Sequence, residues 1–430
     1  MDVAKLALKV PEVLLPGPGV DLHRWAVIAC DQYTSEPEYW EAVDRLVADR
    51  PSTLRLVFPE VYLEDAGGDA RIADINASMK QYLADGVLVS QGPGFVLVDR
   101  KTSHVPSRKG LIVALDLEAY DYRPGSKTLI RTTEGTIVDR LPPRIRVREN
   151  AAIELPHIMV LIDDPEQTVI EPLCQAELEK IYDFELMQGG GHLRGWRVAQ
   201  PELLEQVASA LGALAVKERF QKRYEVNDNE VMLYAMGDGN HSFATAKAIW
   251  EQLKSAASDP ADIMTHPARY ALVELVNLHD PGLEFEAIHR VVFDVSVDDL
   301  LARAEAYYQA VGTPCIVAEY PGLVAATAAV AAAGTAHAIA FVTAQGYAVL
   351  RIDQPSLTLE VATLQNFLDE YLKSRSKARI DYIHGDDAVT RLGSQQGNIG
   401  FYLPSISKHD LFCTIVRDGA LPRKTFSMGE

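Results

Sequence analysis

Asp238 stands between Gly237 and Gly239, and Asn240, His241 and Ser242 follow it directly. An apolar run, VMLYAM, precedes this group, and a helical-period segment, FATAKAIWEQLKS, follows it. The pattern reads as a strand, a glycine turn and a helix start. Such a turn is a ready anion site, because the first helical N–H groups lack intrahelical partners and the helix dipole is positive there. Gly237 and Gly239 let the backbone bend and approach a ligand closely. The Asp238 carboxylate could hold Mg²⁺ or accept a hydroxyl proton, and His241 could donate to a phosphate. Gly237, Gly239, Asn240 and Ser242 would then line a phosphate or nucleotide site. An ordinary strand-to-helix turn with Asn240 as N-cap accounts for the same residues. Neither G-x-x-x-x-G-K-[ST] nor G-x-G-x-x-G occurs at this turn.

A second group lies upstream, in IRTTEGTIVDRLPPRIRVREN. Arg144, Arg146 and Arg148 alternate with Ile145 and Val147, and on a strand that period places three guanidiniums on one face. Arginine forks suit phosphate and carboxylate. Arg140 and Arg144, which flank Pro142-Pro143, are candidate phosphate ligands. Arg148 reads better as a partner for some of the chain's 60 acidic residues. Glu134 is a rival catalytic base to Asp238, and Arg131 is a candidate clamp for a substrate.

In HRWAVIACDQYTSEPEYW, a short apolar strand AVIAC runs into a polar cluster, a common place for ligand contacts. Trp25, Asp31 and Glu36 are the candidate substrate contacts here. Ser35 and Pro37 equally fit a helix start, with Ser35 as N-cap. Cys30 has no local base and reads as a core thiol. His192 and Arg194, in GGGHLRGW, read as a flexible loop and candidate lid. His157 precedes a strand, and His289, with Arg290, sits inside an apolar segment and reads as a satisfied core residue. Zinc and serine-hydrolase motifs are absent from the sequence.

The elements that must position these groups alternate between strands and helices. GFVLVDR, GLIVALD, HIMVLIDD, NIGFYLP and LFCTIV read as strands, and AHAIAFVTAQGYAVLRI reads as a hairpin turning near Gln345 and Gly346. LLEQVASALGALAVKERF, VDDLLARAEAYYQAV and LEVATLQNFLDEYLKS read as helices. The fold class is α/β, with mixed sheets and helices on their faces. The glycine-rich stretch from Gly189 suggests a break near residue 200. It would separate an N-terminal α/β region (1–200) bearing the arginines from a second (201–430) bearing the glycine loop, unless the two intertwine.

The chain has 430 residues, 48% of them hydrophobic, and a net charge of −19. That charge argues against duplex nucleic acid as a partner. The four cysteines lie far apart, as expected of reduced thiols in a cytoplasmic protein. The alanine-rich stretch from Leu323 is interrupted by Gly334, Thr335 and His337. It reads as helix, turn and strand rather than a membrane span.

Taken together, WAVIACDQYTSEPEYW, TEGTIVDRLPPR, ELPHIMVLIDD, MGDGNHSFATAKA, FEAIHRVVF, IDYIHGDD and LPRKTFSMGE resemble the bacterial DUF-1015 family over nearly the whole chain. That family's hallmark is a D-G-H-H-R-type loop, which corresponds to Asp238-Gly239-Asn240-His241-Ser242. Its loop is similar to that of ParB/sulfiredoxin-like folds, which include free L-serine kinases. The resemblance implies a ParB/sulfiredoxin-like core with elaborations. It further implies phosphoryl transfer from ATP or ADP, with Mg²⁺, to the hydroxyl of a small molecule such as free serine. A homodimer is compatible with it. Asn240 stands where the family has its first His, and Ser242 where it has Arg, so Arg140 or Arg144 would supply the missing charge. The family's usual chain runs a little past the final SMGE. Two other activities remain open on the same residues: a nucleotide-binding switch, and hydrolysis of a phosphoester.

Overall fold

Buried strands of this chain are short apolar runs with polar ends, and nine of the described strands assemble into one large mixed sheet. The computed structural model describes residues 3–34, 36–63, 65 and 67–427. The strands of the large sheet are β1 (Leu8–Lys9), β2 (Phe95–Lys101), β3 (Arg108–Asp116), β4 (Ile130–Arg131) and β5 (Met159–Ile162). They continue with β6 (Glu179–Glu185), β7 (His192–Val198), β8 (Tyr234–Asp238) and β9 (Tyr270–Asn277). The order across the sheet is β4-β8-β5-β9-β3-β2-β7-β6, with β1 added on β3. The β4–β8 and β5–β9 pairs are parallel, and the other neighbours are antiparallel.

All four residues of β5 are buried, as expected for a central strand covered on both faces. The helix Asn240–Ala256 inserts Phe243, Ala244, Ala246 and Trp250 into the core that holds Leu97, Val160 and Val273. The helix Pro201–Leu214 adds Val207, Ala208 and Leu211 to the same core. The site loops thus emerge from the most deeply packed part of the sheet.

The chain divides into two compact units, one through Leu283 and one from Glu284. The break expected near residue 200 falls inside the first unit, at the step from β7 to the helix Pro201–Leu214. The second unit has its own sheet of β10 (His289–Phe293), β11 (Cys315–Tyr320), β12 (His337–Thr343), β13 (Gly346–Ile352), β14 (Arg379–Ile383) and β15 (Ile399–Tyr402). Its order is β11-β13-β12-β15-β10-β14. The expected hairpin is present, with Thr343 opposite Gly346 across the turn. The alanine-rich stretch forms the helix Leu323–Ala331 and then β12. Among the described residues no helix is long and apolar enough to cross a membrane.

Five local expectations are corrected. Residues 144–148 belong to the helix Leu141–Arg148, not a strand, because Pro142 and Pro143 sit at its start where proline presets the helical φ. LFCTIV lies in the helix Leu411–Asp418, whose buried Leu411, Phe412, Ile415 and Val416 recur at helical spacing. AVIAC forms no strand: residues 26–29 have no regular structure and Cys30 lies in a turn. LLEQVASALGALAVKERF makes two helices, broken between Leu214 and Lys217. His192 and Arg194 lie on β7, paired with both β2 and β6, so that segment is sheet rather than lid.

Burial lowers the pKa of three histidines, His157 in the first unit and His289 and His337 in the second. Neutral His289 fits its site: Nδ1 accepts the Leu403 N–H at 3.0 Å, and protonation there would set two donors face to face. A lowered folded pKa means that the unfolded chain takes up the proton first. The stabilisation is therefore full above the ordinary histidine value of about 6.5 and is lost as pH falls toward the lowered values. His192, partly exposed on β7, is raised by its bonds to Asp183 and Glu185 and opposes this trend, but solvent screens it. We expect the urea midpoint to fall between pH of about 7 and about 5. A midpoint that rises over that interval would contradict the assignment of neutral buried imidazoles.

Candidate functional site

The helix Asn240–Ala256 begins where β8 ends. Gly239 makes the turn with φ at +78°, in the left-handed region, and no side chain caps the helix. The Asp238 carboxylate accepts the Gly239 N–H at 2.8 Å, while Asp238 itself stands exposed. A Cβ at Gly239 would lie 3.1 Å from Ile158 Cγ1, and one at Gly237 3.1 Å from Leu161 Cγ. Both glycines therefore let the turn press against β5, beside the register shift between Met236 and Asp238. Gly239→Ala combines an unfavourable φ with a tight contact. It should lower unfolding stability by about 1–3 kcal/mol, read from denaturant melts.

Asn240 is not the N-cap, which is Gly239. Its side chain instead reaches the loop after β4. The Thr132 hydroxyl meets Asn240 Oδ1 at 2.7 Å, and Asn240 Nδ2 donates to Thr133 Oγ1 at 3.4 Å. One turn on, the Ile137 N–H donates to His241 Nε2 at 3.3 Å. These bonds bring the loop that carries Glu134 onto the loop that carries Asp238. The half-buried Glu134 also accepts the Thr132 hydroxyl through its backbone carbonyl. Behind this loop, Tyr120 is buried and packs edge-on against Phe243, with ring centroids 4.6 Å apart.

Ser242 is joined to His157, with Oγ 2.8 Å from Nε2. Burial is the main cause of the lowered His157 pKa, and the Arg148 charge adds to it; Asp238 and Glu154 pull the other way. A neutral imidazole at this point can take the Ser242 hydroxyl proton in a hydrogen bond. In the sequence His157 reads as a residue before a strand, and only the fold shows it at the helix start.

Three of the four candidate arginines are engaged by the protein's own groups. Arg131 is buried, donating to the carbonyls of Thr128 at 3.2 Å and Glu230 at 2.8 Å, and burial lowers its pKa. Arg144 is held by Glu60 through Nε at 2.9 Å and Nη2 at 2.5 Å. Arg148 pairs with Glu154, as its bland reading anticipates. Arg140 stands exposed at the start of the helix Leu141–Arg148, which packs against the helix Asn240–Ala256.

The N-terminal candidates form a neighbouring group. Asp31, Glu60 and Arg144 surround Cys30, whose thiol is pushed up to about 12 by burial first and by the two carboxylates next. A thiol so raised is a core group rather than a nucleophile. Trp25 packs against Tyr82 in an apolar cluster, with ring centroids 5.8 Å apart, and its carbonyl accepts the Ser52 hydroxyl. Glu36 is exposed ahead of the helix Pro37–Val47 and makes no side-chain cap. The expected Ser35 cap lies outside the described residues. Glu60, the partner that fixes Arg144, carried no signal in the sequence.

The turn suits a phosphate, since an uncapped helix start offers N–H donors beside the Asn240 amide and the Ser242 hydroxyl. Among the described residues no group of three or more His, Cys, Asp or Glu could hold a metal ion. A single exposed carboxylate still fits Mg²⁺, which keeps several waters and binds through one or two carboxylates plus substrate phosphates.

No curated protein matches the chain. Among solved structures, it is similar to a conserved hypothetical protein from Pyrococcus furiosus, with a TM-score of 0.36 and 14% identity over 74% of this chain and 89% of that one. It is also similar to a free serine kinase in complex with AMP, with a TM-score of 0.38 and 13% identity over 74% of this chain and 86% of that one. SbnI with a C-terminal truncation, from Staphylococcus aureus, gives a TM-score of 0.36 and 10% identity over 74% and 83% of the two chains. Residues 14–371 match the model of DUF1015, described as a protein of unknown function, and the chain belongs to that family.

Proposed function

We propose that this protein is a small-molecule kinase that transfers a phosphoryl group from ATP or ADP to a hydroxyl, with free L-serine the first acceptor to test. The observation that carries this reading is the joining of two loops at one uncapped helix start. Asp238, Asn240, His241 and Ser242 come from one side, and Thr132, Thr133 and Glu134 from the other. Phosphoryl transfer asks a protein mainly for positioning and charge stabilisation, and this turn offers donors for phosphate beside two carboxylate-bearing residues. Asp238 would bind Mg²⁺ or orient the attacking hydroxyl, and Glu134 is the alternative base. Mg²⁺, when bound, would neutralise charge on the phosphates. Arg140, exposed on the adjoining helix, is the available guanidinium, because Arg144 is held by Glu60 and Arg131 by carbonyls.

The test is to incubate the protein with Mg²⁺, ATP or ADP and a pool of hydroxyl-bearing amino acids, then look by mass spectrometry for the gain of one phosphoryl group. A phosphoserine product is the expected result. Nucleotide binding without a product would favour a switch, and phosphate release without an acceptor would favour a hydrolase. No binding and no product would overturn the phosphate-site reading.

A further inference from the structure

Four of the exposed large aliphatic side chains fall within one short stretch of the second unit. Val311 is 55% exposed, Ile316 61%, Val317 40% and Val324 84%. The stretch contains β11, the outermost strand of its sheet, which pairs with β13 on one side only. Among the described residues no strand pairs with its other edge, whose backbone N–H and C=O groups natural edge strands usually guard with lysine, proline or a bulge. The sequence of β11, CIVAEY, has no proline and no basic residue, and Glu319 is its one charge. Pairing with β13 is in unbroken register from Cys315 to Tyr320, so no bulge turns the edge away.

Ile316 and Val317 are successive residues, so their side chains point to opposite faces of the sheet. A partner docking on either face would cover one and leave the other wet. A strand added along the edge covers both. We infer that β11 is the interface of a homodimer, in which the β11 strands of two copies pair antiparallel and join their sheets.

A second copy is the occupant the strand fits. Antiparallel pairing about a two-fold axis lets the same edge serve as donor and acceptor for its own copy. Pairing Val317 of one copy with Val317 of the other sets Ile316 opposite Ala318 and Cys315 opposite Glu319. The two Glu319 carboxylates then stand four residues apart along the strands, about 13 Å, beyond one Debye length at physiological salt. The charge of the strand therefore does not oppose this register, and the aliphatic residues meet at its centre.

Light scattering across the micromolar range and amide exchange test the inference in wild type and in the double variant Ile316→Lys, Val317→Lys. Both positions are exposed in the single chain, so the variant should fold, which its melting curve and circular dichroism check. The expected result is a wild-type dimer in which the β11 amides that face away from β13 are slow as well, and a folded monomeric variant in which that outward set exchanges fast while the set bonded to β13 stays slow. A wild type that stays monomeric would overturn the inference. So would a dimer that persists in the variant, since its interface would lie elsewhere. Neither readout involves nucleotide or phosphoryl transfer, so the result is separable from the kinase reading.

Discussion

Asp238→Asn is expected to reduce phosphoryl transfer by about 10²–10⁴-fold while leaving the fold intact. The substitution is nearly isosteric, and the amide oxygen can still accept the Gly239 N–H that Asp238 holds at 2.8 Å. The turn therefore survives, and the loss falls on the charge. Such a factor corresponds to about 3–5 kcal/mol of barrier. Magnesium titration separates the two roles. If Asp238 binds the ion, the variant should need more Mg²⁺ to reach its residual rate. If it acts as base, the Mg²⁺ dependence should hold and the pH profile should lose its acidic limb. Full turnover with unchanged metal dependence would remove Asp238 from the site and leave Glu134 as the group to test, through Glu134→Gln.

The largest stability effect is expected at Arg290. This side chain is fully buried, at 0% exposure, on β10. Its Nε donates to Gln365 Oε1 at 3.1 Å, Nη2 donates to the Arg423 carbonyl at 3.2 Å, and Nη1 donates to the Ile288 carbonyl. The guanidinium also lies over the Tyr382 ring, 4.8 Å from its centroid. One side chain thus ties the sheet to the helix Glu360–Lys373 and to the C-terminal segment. Arg290→Ala would open a cavity and leave buried acceptors without donors, at a cost of about 3–5 kcal/mol. Arg290→Lys restores a charge but not the planar fork, so it should recover only part of the loss. Urea melts that show a change below about 0.5 kcal/mol would refute this account.

The strand, turn and helix around Asp238 were legible in the sequence because the signal is local: an apolar run, two glycines and a helical period. The same holds for the hairpin around Gln345 and for the helix Val297–Ala310, where Ser296 caps the Asp299 N–H. Residues 144–148 misled because five alternating residues fit a strand about as well as a short helix, and the two preceding prolines decide for the helix. Arg131 shows the limit of a local reading, because a guanidinium reads the same whether it faces a ligand or two carbonyls. The partners that meet the glycine turn and its neighbours, Thr132, Thr133, His157 and Glu60, show no local spacing that assigns them a role. Each matters only because the fold brings it to residues distant in the sequence, and no local pattern records such a meeting.

Those distances also say something about how the site comes into being. Asn240 meets Thr132 across 108 residues, His241 meets Ile137 across 104, and Ser242 meets His157 across 85. Loops that long close slowly, and their closure is rewarded only when β4, β5 and β8 have found their places. A chain emerging from the ribosome holds the Thr132 loop and the β5 segment long before residue 238 exists, so the site must wait for β8, the strand that joins β4 to β5.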